Sequence, residues 1–161
     1  MLDVGCYHKT FLTGVFFLFL LLLPGCISLP PLPAANFSEP GWTVRQGQAV
    51  WRQKRGAPDI AGEILVATNR SGDAFVQLTK NPFPLIIART AGDAWQIEAP
   101  AENRRFARHG TPPARVKLWF LLPKALAGST LPEPWAWQNS ANHWQLENRS
   151  TGESLEGYLN Q

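Results

Sequence analysis

The sequence has little of what covalent or metal chemistry needs. Its 161 residues include two cysteines, Cys6 and Cys26, and three histidines, His8, His109 and His143. Neither His109 nor His143 has a second ligand at the spacing of a metal site. If an N-terminal leader containing Cys6 is lost on export, the mature protein has no disulfide and no catalytic thiolate. An exported domain of this kind depends on its apolar core.

No motif of a common catalytic class is present. The chain lacks a Gly-x-Ser-x-Gly elbow, a His-Glu-x-x-His pair, a phosphate-binding loop and a dinucleotide fingerprint. Glu147, Glu153 and Glu156 are interpreted as ordinary residues of exposed strand faces and not as an acid and base pair. We therefore expect a protein that is not an enzyme and needs no cofactor or metal ion.

The long apolar run is too short to span a membrane. It covers residues 11–23, "FLTGVFFLFLLLL". A spanning helix needs about 20 such residues, whereas the apolar part of a secretory signal takes about 7 to 15. The run therefore favours export. An uncleaved anchor is the alternative, but Pro24, Gly25 and the Pro30-Pro31 pair make a longer helix unfavourable.

The run ends in "LPGC", at Leu23 to Cys26. This tetrapeptide resembles the lipobox of bacterial lipoprotein signals, with Pro24 as a departure at a tolerant position. We interpret residues 1–25 as a lipoprotein signal peptide and Cys26 as the site of lipid attachment, which carries acyl groups such as palmitate. Acyl chains hold a protein on a bilayer at about 0.8 kcal/mol per buried methylene.

The segment after Cys26 is rich in proline. We expect residues 26–41 to form an extended tether that lifts residues 42–161, the folded domain, off the membrane. Ile27 follows the lipobox cysteine, where an Asp retains enterobacterial lipoproteins in the inner membrane. We therefore expect the bacterial outer membrane, with the domain facing the periplasm, and no binding of nucleic acid.

Positive charge is concentrated in one stretch, although the net charge is only +3. Five basic residues form this basic patch: Arg104, Arg105, Arg108, Arg115 and Lys117. Such a patch is suited to anionic lipid headgroups, with about 1 kcal/mol from each cation near the surface. A solvated basic surface that keeps the domain soluble is the alternative.

Short apolar segments separated by turn residues predict a β-rich domain. Trp95 and Ile97 alternate with Gln96 and Glu98, which is the period of a half-buried strand. Six strands are expected up to His109, then helix in residues 112–128, then a closing hairpin in residues 144–159. The prediction is a mainly β (α+β) fold: an antiparallel curved sheet or half-barrel of about eight strands, with one or two short helices on its concave side.

A lipobox followed by this order of elements resembles the LolB family of outer-membrane lipoproteins, which receive lipoproteins from a periplasmic carrier. The family has an open barrel with a helical lid. The most specific local match is "LTKNPFPLIIA", residues 78–88, where the family has an Asn-Pro loop bearing an exposed, membrane-inserting leucine. By this resemblance Pro82, Phe83 and Pro84 form a membrane-insertion loop.

The resemblance also takes in residues 119–128, like the lid helices, and residues 144–159, like the closing strands. This chain departs from the family in having Phe83-Pro84 for Leu-Gly and fewer residues between helices and closing strands. The resemblance implies a concave apolar cavity that binds acyl chains. For each candidate lining residue, an ordinary place in the core is the alternative. These candidates are Trp51, Val66, Leu78, Ile87, Trp95 and Trp119.

The function implied is that of a lipid-anchored envelope protein that binds acyl chains and aids lipoprotein localisation or insertion at the outer membrane. Its expected partners are membrane lipid, acyl chains and a periplasmic lipoprotein carrier, and we expect a monomer. The alternative is a non-transporting lipoprotein of the same fold that acts as an envelope assembly or interaction module.

Overall fold

The computed structural model describes residues 30–141 and 143–160. The expected signal peptide and Cys26 lie outside the described residues. Within the described part, no helix is both long enough and apolar enough to cross a membrane.

The described residues form nine strands and one α-helix. In chain order these are β1 Thr43–Arg52, β2 Asp59–Thr68, β3 Ala74–Lys80, β4 Phe83–Ala91, β5 Ala94–Ala99, β6 Arg104–His109, α1 Lys117–Leu126, β7 Trp135–Asn139, β8 Trp144–Asn148 and β9 Ser154–Asn160. Short 3-10 turns occupy Pro100–Glu102 and Ala114–Val116. The predicted mainly β fold with a helix after the sixth strand is confirmed.

All nine strands belong to one antiparallel sheet in the order β6-β5-β4-β3-β2-β1-β9-β8-β7. The strands β1 to β6 form the expected meander, and β8 and β9 form the expected closing hairpin. Gln46–Arg52 of β1 pairs with Ser154–Asn160 of β9, so the end of the chain extends the sheet on the far side of β1. The two edge strands, β6 and β7, are not paired with each other, and the sheet is open.

The sheet curves around α1. The helix contacts β4 on one side and β8 on the other. Those strands are five steps apart in the sheet order, which is about 24 Å in a flat sheet, whereas a ten-residue helix is only about 15 Å long and 10–12 Å wide. Only a strongly curved sheet lets one short helix touch both strands. The helix therefore lies on the concave face, as predicted.

Two glycines accommodate the curvature at the centre of the sheet. A Cβ atom at Gly47 would lie 1.9 Å from the carbonyl oxygen of Tyr158, and one at Gly157 would lie 2.0 Å from that of Gln48. Both glycines are on the concave face, where β1 and β9 pair. A side chain at either position would force the strands apart, so the bend requires glycine.

The core lies between α1 and the concave face. Leu118, Trp119 and Leu122 of the helix are fully buried and pack in one cluster with residues such as Leu78 and Leu155. Lys124 is the side chain of α1 most open to solvent. A helix buried on nearly every side is apolar all round, which is why "LWFLLP" shows little polar spacing.

The proline-rich segment packs against the outside of the sheet over residues 30–37, which we call the strap. The backbone N–H of Leu32 donates to Oε1 of Gln96, with N and O 2.8 Å apart. The ring of Phe37 lies 5.1 Å from that of Phe75 and 5.6 Å from that of Trp42. This part of the expected tether is therefore docked on the convex face, and it covers Gln96 completely.

Replacing Gln96, which accepts the hydrogen bond from Leu32, should release the strap. In Gln96→Leu the N–H of Leu32 loses its partner, at a cost of about 1 kcal/mol in unfolding free energy. Chymotrypsin should then cleave after Phe37 faster than in the wild-type chain, as followed by mass spectrometry. The control is Gln138→Leu, which changes an exposed residue on the convex face of β7. Equal cleavage rates in both variants would contradict a docked strap.

Candidate functional site

The hairpin between β3 and β4 presents an aromatic ring to solvent. Asn81 and Pro82 form its turn, and Phe83 opens β4. Phe83 is 67% exposed, more than Val44, Phe106 or Tyr158, the other large exposed hydrophobic residues of the described chain. Its exposure agrees with the expectation from sequence. Pro82 is also exposed and Pro84 is half-buried.

A β-bulge bends the base of this hairpin. Leu78 pairs with Ile86 and Thr79 pairs with Pro84, so Leu85 is an extra residue without a cross-strand partner. Bulges turn the end of a strand pair away from the plane of the sheet. Phe83 lies opposite Lys80, so an aromatic ring and a cation share the tip.

The predicted cavity residues are mostly core. Val66, Leu78, Trp95 and Trp119 are buried in the main cluster, and Trp51 packs against it half-buried. The rings of Trp51 and Trp119 are 5.0 Å apart at nearly right angles. The centre of the concavity is thus filled by α1 and is not an empty acyl cavity.

Ile87 does not belong with the other five. It lies opposite Gln77 and Glu98, on the convex face, and its neighbour Ile86 faces inward. The placement of Ile87 in a cavity is therefore wrong. The two adjacent isoleucines could not be assigned to faces from the sequence because the bulge at Leu85 interrupts the alternation.

An open groove remains at one end of the concave face, between β5, β6 and residues 111–116. Its volume is about 660 Å³, and we call it the β5–β6 groove. Its apolar lining comes from Ile86, Trp95, Ile97, Phe106 and Val116. Arg104, Arg108 and Arg115 of the basic patch also line it.

The other two residues of the basic patch lie elsewhere. Arg105 pairs in register with Glu98, on the convex face of β6. Lys117 begins α1 and is half-buried. The structure therefore divides the basic patch, and three of its five members surround one groove.

Phe106 closes the side of the groove between β6 and the segment before α1. Its ring centroid is 5.5 Å from Cζ of Arg104 and 5.7 Å from Cζ of Arg115. Guanidinium groups at such distances are attracted to the ring, by about 0.5–1 kcal/mol where exposed. The contact with Arg115 joins edge strand β6 to the 3-10 turn at Ala114–Val116, with which β6 has no backbone pairing.

The acidic residues of the groove are already paired. On the convex face Arg89 Nη2 lies 2.5 Å from Oε1 of Glu98, and beside the groove Arg104 Nη1 lies 2.9 Å from Oε2 of Glu102. Arg108 and Arg115 make no ion pair with any residue that the structure describes. The groove therefore carries uncompensated positive charge above an apolar floor.

Glu153 is a buried carboxyl that sequence reasoning placed on an exposed face. Only 7% of the residue is exposed, because the turn before β9 folds against Arg55 and Trp51. Burial raises the pKa of Glu153 to about 7, and the nearby indole of Trp51 offsets part of this increase. That indole N–H makes no regular hydrogen bond within the described chain, so burial is the main cause of the raised pKa.

The one signal in the sequence for the burial of Glu153 is the glycine before it, Gly152. Glu153 follows Gly152, which has a φ of 72° and whose Cβ would lie 2.8 Å from Cβ of Arg55. The turn is thus pressed against the loop after β1.

No group of three potential metal ligands occurs among the described residues. Glu147 and Glu156 are half-buried.

Comparison with known proteins adds no family assignment. No protein-family model matches the chain, and no curated protein matches it. The resemblance to the LolB family therefore stays an expectation from the order of elements and the residues quoted above.

Glu153 should make the protein less stable as pH rises. Its folded pKa of about 7 exceeds the ordinary value of 4.5. The folded state thus retains a proton that the unfolded state loses, and the unfolding free energy falls between about pH 4.5 and 7, by at most about 3 kcal/mol and by less where solvent screens the carboxylate. Urea unfolding of wild type and Glu153→Gln across this range measures the effect. The unfolding free energy of Glu153→Gln should not fall over this range, so the variant should be more stable than wild type at pH 8. If the unfolding free energies of both proteins change with pH in parallel, Glu153 ionises normally.

Proposed function

We propose that the protein is a lipid-anchored envelope protein that binds acyl chains and aids lipoprotein localisation or insertion at the outer membrane. The observation that supports this most directly is the β5–β6 groove, an open apolar concavity of about 660 Å³. Small-molecule sites usually have about 300–1,000 Å³. The resemblance of the lipobox and of residues 78–88 to the LolB family supports the same function.

The groove suits an acyl chain because it offers aromatic and branched side chains in place of water. Each methylene that leaves water contributes about 0.8 kcal/mol. Trp95, Ile97 and Phe106 contribute aromatic and aliphatic surface from two adjacent strands. Such transfer requires no covalent chemistry, which fits a sequence without a recognisable catalytic motif.

The docked strap constrains how a lipid anchor would hold the domain. Leu32 is fixed to Gln96 on the convex face of β5. Leu32 is six positions after Cys26, and a fully extended chain over six positions spans at most about 20 Å. A lipid on Cys26 would therefore keep the convex face of β5 close to the membrane surface.

One observation favours the alternative of an envelope assembly module. The middle of the concave face is filled by α1, and the two ends of the sheet, β6 and β7, are unpaired strand edges. Unpaired edges offer backbone donors and acceptors to a partner strand. A protein with this function would not need to take up acyl chains.

Uptake of a fluorescent palmitate analogue separates the two functions. Purified residues 30–161, checked for a cooperative thermal transition, should bind the analogue saturably. Ala99→Phe, which fills part of the groove, should weaken binding about tenfold or more. Ala61→Phe, an exposed change on β2, is the control and should not. No saturable uptake by the wild-type domain would rule out the acyl carrier.

Phe83 should contribute to membrane contact. Because its ring is exposed, Phe83→Glu should change the unfolding free energy by no more than about 0.5 kcal/mol. Binding of residues 30–161 to phosphatidylglycerol vesicles in a flotation assay should fall several-fold. Val44→Glu removes another exposed hydrophobic residue and is the matched control. A loss of several kcal/mol in unfolding free energy, or equal flotation of both variants, would show that Phe83 does not contribute specifically to membrane contact.

A further inference from the structure

The β5–β6 groove combines an apolar floor with two arginines that have no acidic partner in the described chain. We propose that it binds an amphiphile whose head is a carboxylate or a phosphate, with the head at Arg108 and Arg115 and the acyl chain against Trp95. This inference rests on the proposed acyl-binding function and names the class of ligand.

The first argument is charge. Two acidic residues border the groove: Glu98, whose side chain pairs with Arg89 on the convex face, and Glu102, which pairs with Arg104. The charges of Arg108 and Arg115 are therefore not neutralised from within the described residues. An anionic head supplies the missing partner, whereas an uncharged or cationic head does not.

The second argument is position. Arg108 lies directly opposite Trp95 in the β5–β6 register, on the concave face. Arg115 comes from the 3-10 turn and lines the same groove. Two elements thus place one guanidinium each beside the same apolar floor. Guanidinium groups bind carboxylates and phosphates through paired hydrogen bonds.

The third argument is the ring of Trp95. Trp95 is only 4% exposed, and its Nε1 makes no hydrogen bond to any described residue. A buried indole N–H usually has a partner. Trp95 also forms part of the groove lining. The N–H itself is closed off from solvent, so an acyl chain in the groove would contact carbon atoms of the Trp95 ring and not this donor.

The fourth argument is rigidity. Arg115 and Arg104 both contact the ring of Phe106, at 5.7 and 5.5 Å. This contact limits the freedom of two long side chains before any ligand arrives. A restrained guanidinium loses less conformational entropy on binding than a free one.

Native mass spectrometry of the full chain, purified in a non-ionic detergent, tests the proposal. Palmitate and hexadecanol have the same chain length and differ in the charge of the head. Palmitate should form a one-to-one adduct at concentrations where hexadecanol does not. The double variant Arg108→Gln, Arg115→Gln should raise the apparent Kd for palmitate about tenfold or more.

Arg105→Gln is the matched control, because it removes the same charge from the same strand but on the convex face. It should leave the palmitate adduct unchanged. Inorganic phosphate should not displace palmitate, since the proposal requires the chain as well as the head. All variants should share the thermal transition of the wild-type chain.

The outcomes distinguish this proposal from the proposed function. Equal binding of palmitate and hexadecanol, with no effect of the double variant, overturns the anionic head and leaves acyl binding standing. Displacement of palmitate by phosphate overturns the requirement for the chain. An absence of any adduct with either probe overturns acyl binding itself.

Discussion

The packing of α1 inside the curved sheet is the interaction on which the other features depend. Ten residues of helix contact strands that lie on both sides of the sheet centre, so the helix and the curvature require each other. Gly47 and Gly157 permit the bend because their neighbours leave no room for a side chain. The start of α1 in turn places Ala114–Val116 beside β6, and that placement creates one wall of the β5–β6 groove.

The same packing decides which part of the concave face is available to a ligand. The helix fills the centre, where Trp119 is buried against Trp51, and leaves the end at β5 and β6 open. Trp95 lies at the boundary: its ring is 5.6 Å from that of Phe120 in the core, and it also lines the groove. Core and site therefore share a side chain, and a change at Trp95 affects both.

Local patterns in the sequence were sufficient for the meander, the helix and the closing hairpin, because alternation and turn residues act over a few positions. They could not reveal the pairing of β9 with β1, which joins distant parts of the chain. They also missed β7, a five-residue strand that directly follows Pro134. Trp95 and three arginines of the groove were named from the sequence, but as members of two separate features, an apolar cavity and a basic patch. Ile87 was given the wrong face, and Glu153, outside the groove, was taken as exposed.

Gln96 shows why alternation alone does not define a surface. It sits between Trp95 and Ile97 on the opposite face of β5, where the pattern predicts solvent, yet it is fully buried by the strap. A buried amide is tolerated here because Leu32 donates to it and its own amide nitrogen donates to Glu98. β5 is thus held on its convex face by the N-terminal segment while its concave face lines the groove. In the proposed function, attachment through the N-terminal segment and ligand binding in the groove would therefore both act on β5.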